Sequence, residues 1–257
     1  MKYKRIFAFG CSFTDFVWPT WPVIMSKDLN LPLQNWGMCG QGNVAIYHRM
    51  LEADLKNNFN ESDIVIPVWT TWHREDRHLG SWTLSGNIFH DKQLYDRYFR
   101  KKYWHETNDV VKNATAIISA NKMFPITYQA KLKGTMEAGK DLYSDTAQYN
   151  FYQSHLPHMD EFPWDYTQEP CVNFDGALKH IDNHPDIKAH LHFVKDYIYK
   201  ELNLTMKEET IDYYTEMHNK VVQMGKQGIT KKEIKKWHHL QDFFERHFSY
   251  YTKRIGM

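Results

Sequence analysis

Two short segments, far apart in the 257-residue chain, carry the side chains best suited to nucleophilic chemistry. In Phe7-Ala8-Phe9-Gly10-Cys11-Ser12 an apolar run stops at a glycine and leaves a serine where the backbone must turn. A serine there can attack an acyl carbon when a base takes its proton. Asp182-Asn183-His184-Pro185 offers such a base, with a carboxylate two residues away that can fix the imidazole tautomer and stabilise its charged form. Cys11 is the rival nucleophile, but one residue early it would point into the turn. Between these segments, Asn35-Trp36-Gly37-Met38-Cys39-Gly40-Gln41-Gly42-Asn43 is rich in small residues whose N–H groups can face a developing oxyanion. Its spacing fits neither a dinucleotide fingerprint nor a phosphate-binding loop.

These segments need a scaffold, and the first part of the chain reads as strand alternating with helix. Lys4 to Phe9 is a short strand, Val23 to Leu29 a helix, Leu31 to Trp36 a second strand, and Val44 to Leu55 has helical spacing. Asp63 to Trp69 is a continuous apolar run, as expected of a strand buried on both faces, with Pro67 predicting a bulge or the strand's end. The alternation implies a parallel sheet between helices, a three-layer α/β/α domain. Such a sheet keeps its reactive residues at the carboxyl ends of its strands, which is where Ser12, the Asn35–Asn43 stretch and Trp69-Thr70-Thr71-Trp72-His73-Arg74 fall.

Further along, Tyr95 to Lys122 reads as one helix and Ile126 to Leu132 as a fourth strand, while Gly134 to Asp175 has no clear period. The α/β domain is expected over residues 1–202, with an insertion at about 75–175 that either covers the substrate or packs on the sheet edge. Capping boxes at Thr205-Met206-Lys207-Glu208 and Thr230-Lys231-Lys232-Glu233 predict helices over 206–224 and 231–252, a C-terminal hairpin spanning 203–257. Its aromatic content suits packing on the body, with a homo-oligomer contact as the alternative.

Composition excludes several classes. Lys+Arg 32 against Asp+Glu 31 leaves a net charge of +1, so no global field draws nucleic acid or an acidic membrane. No run approaches the ~20 apolar residues of a membrane span, and the N-terminal apolar stretch is too short for a signal segment. With three cysteines and no CxxC spacing, neither a disulfide framework nor a thiolate zinc site is expected, and a reducing, cytoplasmic setting fits. His180, His184, His190 and His192 cluster without a carboxylate or thiolate at metal spacing, so neither metal nor cofactor is expected.

The order Gly10-x-Ser12-Phe13-Thr14, then Asn35-x-Gly37-x-x-Gly40, then a buried strand ending in a polar block, then Asp182-x-His184-Pro185 resembles the SGNH (GDSL-type) hydrolase superfamily. The resemblance implies a flavodoxin-like sheet and serine esterase chemistry without a cofactor. It assigns Ser12 as nucleophile, His184 as general base and acid, and Asp182 as its orienting partner. Ser12 and Gly40 would supply oxyanion N–H groups. Three positions depart from the family pattern. Cys11 stands where an aspartate is usual, and the aspartate and histidine are one residue closer than in the commoner spacing. Trp69-Thr70-Thr71-Trp72-His73-Arg74 replaces Gly-x-Asn-Asp, making Thr71 the nearest substitute for the missing amide donor. Asn43, Trp69, Thr70, Trp72 and Arg74 are the expected substrate contacts. The aromatic set Trp69, Trp72, Trp82, Tyr103 and Trp104 either stacks on sugar rings or fills the core. The implied substrate is a small-molecule or glycan ester, an O-acetyl group on a carbohydrate being favoured. A non-catalytic glycan-binding protein and an acyltransferase are the alternatives.

Overall fold

The structure is a computed structural model that describes residues 2–16, 18–78, 82–88, 95, 97–133, 147–163 and 184–226. The chain divides into two compact units, Met1–Asp15 with Leu31–Phe162, and Phe16–Asn30 with Pro163–Met257.

The first unit is built on a five-stranded parallel sheet. Its strands are β1 (Arg5–Phe9), β2 (Leu33–Asn35), β3 (Asp63–Trp69), β6 (Ala130–Lys131) and β7 (Asp160–Glu161), in the order β2-β1-β3-β6-β7. Counted along the sheet this is the 2-1-3-4-5 order of flavodoxin-like folds, whose topological switch point lies between the first and third strands. Arg5 and Asp63, paired in register, set that junction through two hydrogen bonds of 2.8 and 2.7 Å from the guanidinium to a buried carboxylate. Phe7, Phe9, Val65 and Trp69 share one face with Ile46 and Met50 of α2 (Asn43–Asn57) and with Val110, Ala114 and Ile117 of α4 (Glu106–Met123). Ile6, Ala8, Ile64, Ile66 and Val68, which alternate with them, are equally buried, so both faces of the sheet are covered.

Several expectations need correction. β3 runs through Pro67 to Trp69, with Phe9 paired to Pro67. The N–H that proline lacks would point toward β6, whose ladder begins only at Val68, so no hydrogen bond is forfeited. The helix expected over 95–122 is two helices, α3 (Arg97–Lys102) and α4, separated by a segment in which His105 takes extended backbone. The strand expected over 126–132 is reduced to Ala130–Lys131, because Thr127 meets Val65 with its hydroxyl as well as its backbone. A two-stranded antiparallel hairpin, β4 (Arg74–His78) and β5 (Trp82–Asn87), was not foreseen. Helix α5 (Ala147–His155) closes the described part of this unit before β7.

The second unit contains α1 (Trp21–Leu29), α6 (Ile187–His192), a π-helical segment Phe193–Ile198, α7 (Tyr199–Glu201) and α8 (Glu208–Lys226). Asp28 ties it together, accepting from the Tyr199 hydroxyl at 2.8 Å and the Lys207 N–H at 3.0 Å while almost wholly buried. Helix α8 begins at Glu208, two residues later than the capping box predicts, with the Lys207 carbonyl taking the first N–H groups. It packs with α1 and α6, so the chain after residue 202 belongs to a larger unit rather than to a separate appendage. The second arm of the expected hairpin, 231–252, lies outside the described residues.

Tyr199→Phe removes one of the two donors to the buried Asp28 carboxylate and is expected to cost about 1.5–3 kcal/mol, the range for hydrogen bonds to charged groups. Urea denaturation of the two proteins checks this, and a loss under about 0.5 kcal/mol would mean that Asp28 does not hold the unit.

Candidate active site

Ser12 follows β1 at its carboxyl end, beside the end of β3, where the strand order reverses. The turn holding it is closed by Thr14 and Asp15 N–H groups donating to the Cys11 carbonyl at 2.9 and 3.2 Å. Thr14 is the wedge of this region. A Cβ at Gly10, where φ is +155°, would lie 2.2 Å from the Thr14 Oγ1, and one at Gly37 would lie 2.8 Å from the Thr14 Cβ. Both glycines are therefore required by close approach. Asn35 closes the lock, donating to the Thr14 carbonyl at 2.9 Å and accepting from the Gly37 N–H at 3.0 Å. The first and second motifs are thus a single packed object.

The chain then makes a turn in which Gln41 N–H donates to the Met38 carbonyl at 3.1 Å and Gly40 has φ 80°. Positive φ at the third position is the type II geometry that selects glycine. Cys39, the second residue of that turn, shares a side-chain hydrogen bond with Ser12, which brings the serine against the glycine turn. Burial, and next the Cys11 sulfur, raise the Cys39 thiol, so it remains protonated and a poor nucleophile at neutral pH.

The polar block after β3 is held from two sides. The Asn43 side chain accepts from the Thr70 N–H at 2.7 Å and donates to the Thr70 carbonyl at 2.9 Å and to Asn113 Oδ1 at 2.8 Å. Asn113 in turn donates to the Trp72 carbonyl at 3.0 Å. Asp76, on β4, accepts from the Gly42 N–H at 2.9 Å and the Ala45 N–H at 3.0 Å, capping an α2 that has no side-chain cap of its own. Arg74 donates to the Gln41 carbonyl at 2.8 Å, and Thr71 Oγ1 lies 3.2 Å from His73 Nε2.

Three expected substrate contacts are thereby reassigned. Trp69 is fully buried on the helix-facing side of the sheet, its Nε1 donating to Gln129 at 3.1 Å, and belongs to the core. Asn43 and Thr70 are likewise buried and hydrogen-bond to each other, Thr70 lying one residue past the last residue of β3 that pairs with a strand. Thr71, Trp72 and Arg74 retain exposure, and Trp72 stacks on Trp104 with centroids 5.9 Å apart. The Trp82 side chain lies outside what the structure describes. Asn113 and Asp76 were missed. A polar Asn inside the apolar stripe of α4 was the available sign for Asn113; nothing in a charged run marked Asp76.

In the second unit the His184 ring stacks on Phe16, centroids 3.9 Å apart and planes 15° apart, and Phe16 meets Trp18 edge-on. Trp18 Nε1 donates to the Pro185 carbonyl at 2.8 Å. Helix α6 begins after Pro185, capped by Asp186, which accepts from the Ala189 N–H at 2.8 Å. Asp182 lies outside the described residues. Ser12 belongs to the first unit and His184 to the second.

Neither a family model nor a curated protein matches the sequence. The solved structures to which the chain is similar include the following three. The first is assigned to the lipolytic G-D-S-L family and comes from Desulfitobacterium hafniense DCB-2, with 15% identity and TM-score 0.39 over 77% of this chain and 99% of that one. The second is a member of the lipolytic G-D-S-L family from Veillonella parvula DSM 2008, with 12% identity and TM-score 0.40 over 78% and 97%. The third is an acetyl xylan esterase from Geobacillus stearothermophilus, with 12% identity and TM-score 0.37 over 81% and 100%. No helix among the described residues is long and apolar enough to cross a membrane.

Two titrations leave opposite marks on stability. Burial pushes the Asp76 carboxyl up to about 6, against its two N–H bonds and the charges of Arg74 and Lys112. Burial, with Arg74, pushes His73 down to about 4. Between these values the folded chain holds a proton on Asp76 that the unfolded chain has released, so stability from this group falls as pH rises. His73 is neutral when folded and protonated when unfolded, so its contribution rises with pH. Asp76→Asn removes the falling part, and the gain in unfolding free energy from pH 4 to pH 6 is expected to be steeper in the variant. Urea denaturation at both pH values decides it; an equal or shallower slope contradicts the burial of an ionisable Asp76.

Proposed function

We propose that the protein is a serine esterase in which Ser12 attacks an ester carbonyl and His184, oriented by Asp182, takes the serine proton and passes it to the departing alcohol. Water activated by the same imidazole then releases the acid and restores the serine. The Ser12 and Gly40 N–H groups, with the Thr71 hydroxyl, would face the oxyanion. The observation that carries this reading is the Ser12–Cys39 hydrogen bond, which sets the serine at the switch point against the turn whose Gly40 N–H has no acceptor among the described residues. The His184 ring is held by stacking on Phe16, four residues after Ser12 in the chain. Trp72 and Trp104, stacked on each other beside Thr71, favour a carbohydrate ester. Thr71 in place of an amide donor supplies one hydrogen bond, so turnover is expected to be modest; losing a single oxyanion donor costs about 10²–10³.

Hydrolysis of p-nitrophenyl acetate by the wild type, Ser12→Ala and His184→Ala tests the reading. The rate is expected to fall by at least about 10³ in both variants. Equal slow rates in all three proteins would remove the esterase and leave a glycan-binding protein on this scaffold.

A further inference from the structure

Residues 97–104 read Arg-Tyr-Phe-Arg-Lys-Lys-Tyr-Trp, four cations and four aromatic rings without an acid. Most of this is α3, and it belongs to the first unit. The acids of the adjoining network are already engaged: Glu75 pairs with Lys112 at 2.6 Å and Arg77 at 3.3 Å, and Asp109 pairs with Lys112 at 3.3 Å. Among the described residues, none of the four α3 cations makes an ion pair, and the buried Arg100 Nε has no acceptor. The two tyrosines stand out of the surface, Tyr98 60% and Tyr103 62% exposed. Lys102 lies over both rings, 5.2 and 5.5 Å from their centroids, and donates to the Tyr98 hydroxyl at 2.8 Å.

The patch is tethered to the candidate site. Trp104, directly after Tyr103, donates through Nε1 to Asp109 at 2.6 Å and stacks on Trp72, the residue after Thr71. Exposed ring faces suit the apolar face of a sugar, and a guanidinium suits a carboxylate through paired hydrogen bonds.

We infer that α3 and the Trp72–Trp104 stack form a subsite for an anionic polysaccharide, one whose uronate carboxylates meet the α3 cations. That this polymer is also the substrate rests on the esterase reading; that it binds does not. Single-stranded nucleic acid shares the basic-aromatic preference, but a chain of net charge +1 offers no wider positive field to follow a phosphate backbone. A membrane surface is disfavoured because the exposed residues of α3 are tyrosines and cations, with no aliphatic side chain to insert.

Affinity electrophoresis of the full chain in gels containing polygalacturonate, neutral xylan or neither tests the inference, beside Lys101→Glu/Lys102→Glu and Tyr98→Ala/Tyr103→Ala. Retardation by polygalacturonate is expected to exceed that by xylan, to weaken at least about tenfold in each double variant, and to decline with salt. An unchanged far-ultraviolet circular dichroism spectrum shows that both variants fold. Equal retardation by the two glycans, retention in the variants, or tighter binding to an oligothymidylate or to phosphatidylserine vesicles than to polygalacturonate would overturn the inference. A chain that hydrolyses the ester but treats both glycans alike loses the subsite and keeps the esterase. One that binds polygalacturonate through α3 without hydrolysing the ester does the reverse.

Discussion

The methyl-sized space on either side of Thr14 is the constraint on which the site depends. Gly10 and Gly37 both lie flush against that side chain, and no residue with a Cβ fits at either position without moving the backbone. The consequence is geometric: the end of β1 and the loop after β2 meet at one residue, and Asn35 then bonds both of them. Ser12, two residues before Thr14, is carried to the switch point of the sheet, and the Gly40 turn is carried to Ser12. Two segments more than twenty residues apart in sequence become one turn-and-loop unit because small residues allow the contact and an amide closes it.

Around that unit the protein uses buried polar contacts where a longer strand or a self-capped helix would have sufficed. Asn43, held by Asn113, takes up the backbone of Thr70 just past the paired end of β3, and Asp76 reaches from β4 to cap α2. Buried polar groups left unpaired cost about 1–3 kcal/mol each, so such clamps define a single arrangement. They also fix Thr70 and the backbone of Trp72 while leaving Thr71, Trp72 and Arg74 as partly exposed members of the block.

Much of the scaffold was legible in the sequence because parallel strands buried on both faces are continuous apolar runs, and Asp63–Trp69 was readable to the residue. Elements held by charge were not. β4 is Arg-Glu-Asp-Arg-His, with no apolar alternation to betray a strand, and it is pinned through Glu75 to Lys112 of α4 instead. The break between α3 and α4 carries no glycine or proline. Within the site, the required glycines and Asn35 were recognisable by type and spacing, whereas Trp69, beside a polar block, left sugar stacking and core packing both open. Its period-two relation to Val65 put it on the core face. Asn43 could be assigned to the framework only once Asn113, seventy residues away, was seen to meet it.

The central claim is that Ser12 is a nucleophile. Intact-mass and peptide mass spectrometry after treatment with a fluorophosphonate tests it most directly, because the reagent phosphonylates an activated serine and spares an ordinary one. The account predicts a single adduct on Ser12, absent from Ser12→Ala and slowed in His184→Ala. No adduct on the folded wild-type chain, or one on another residue, would contradict it.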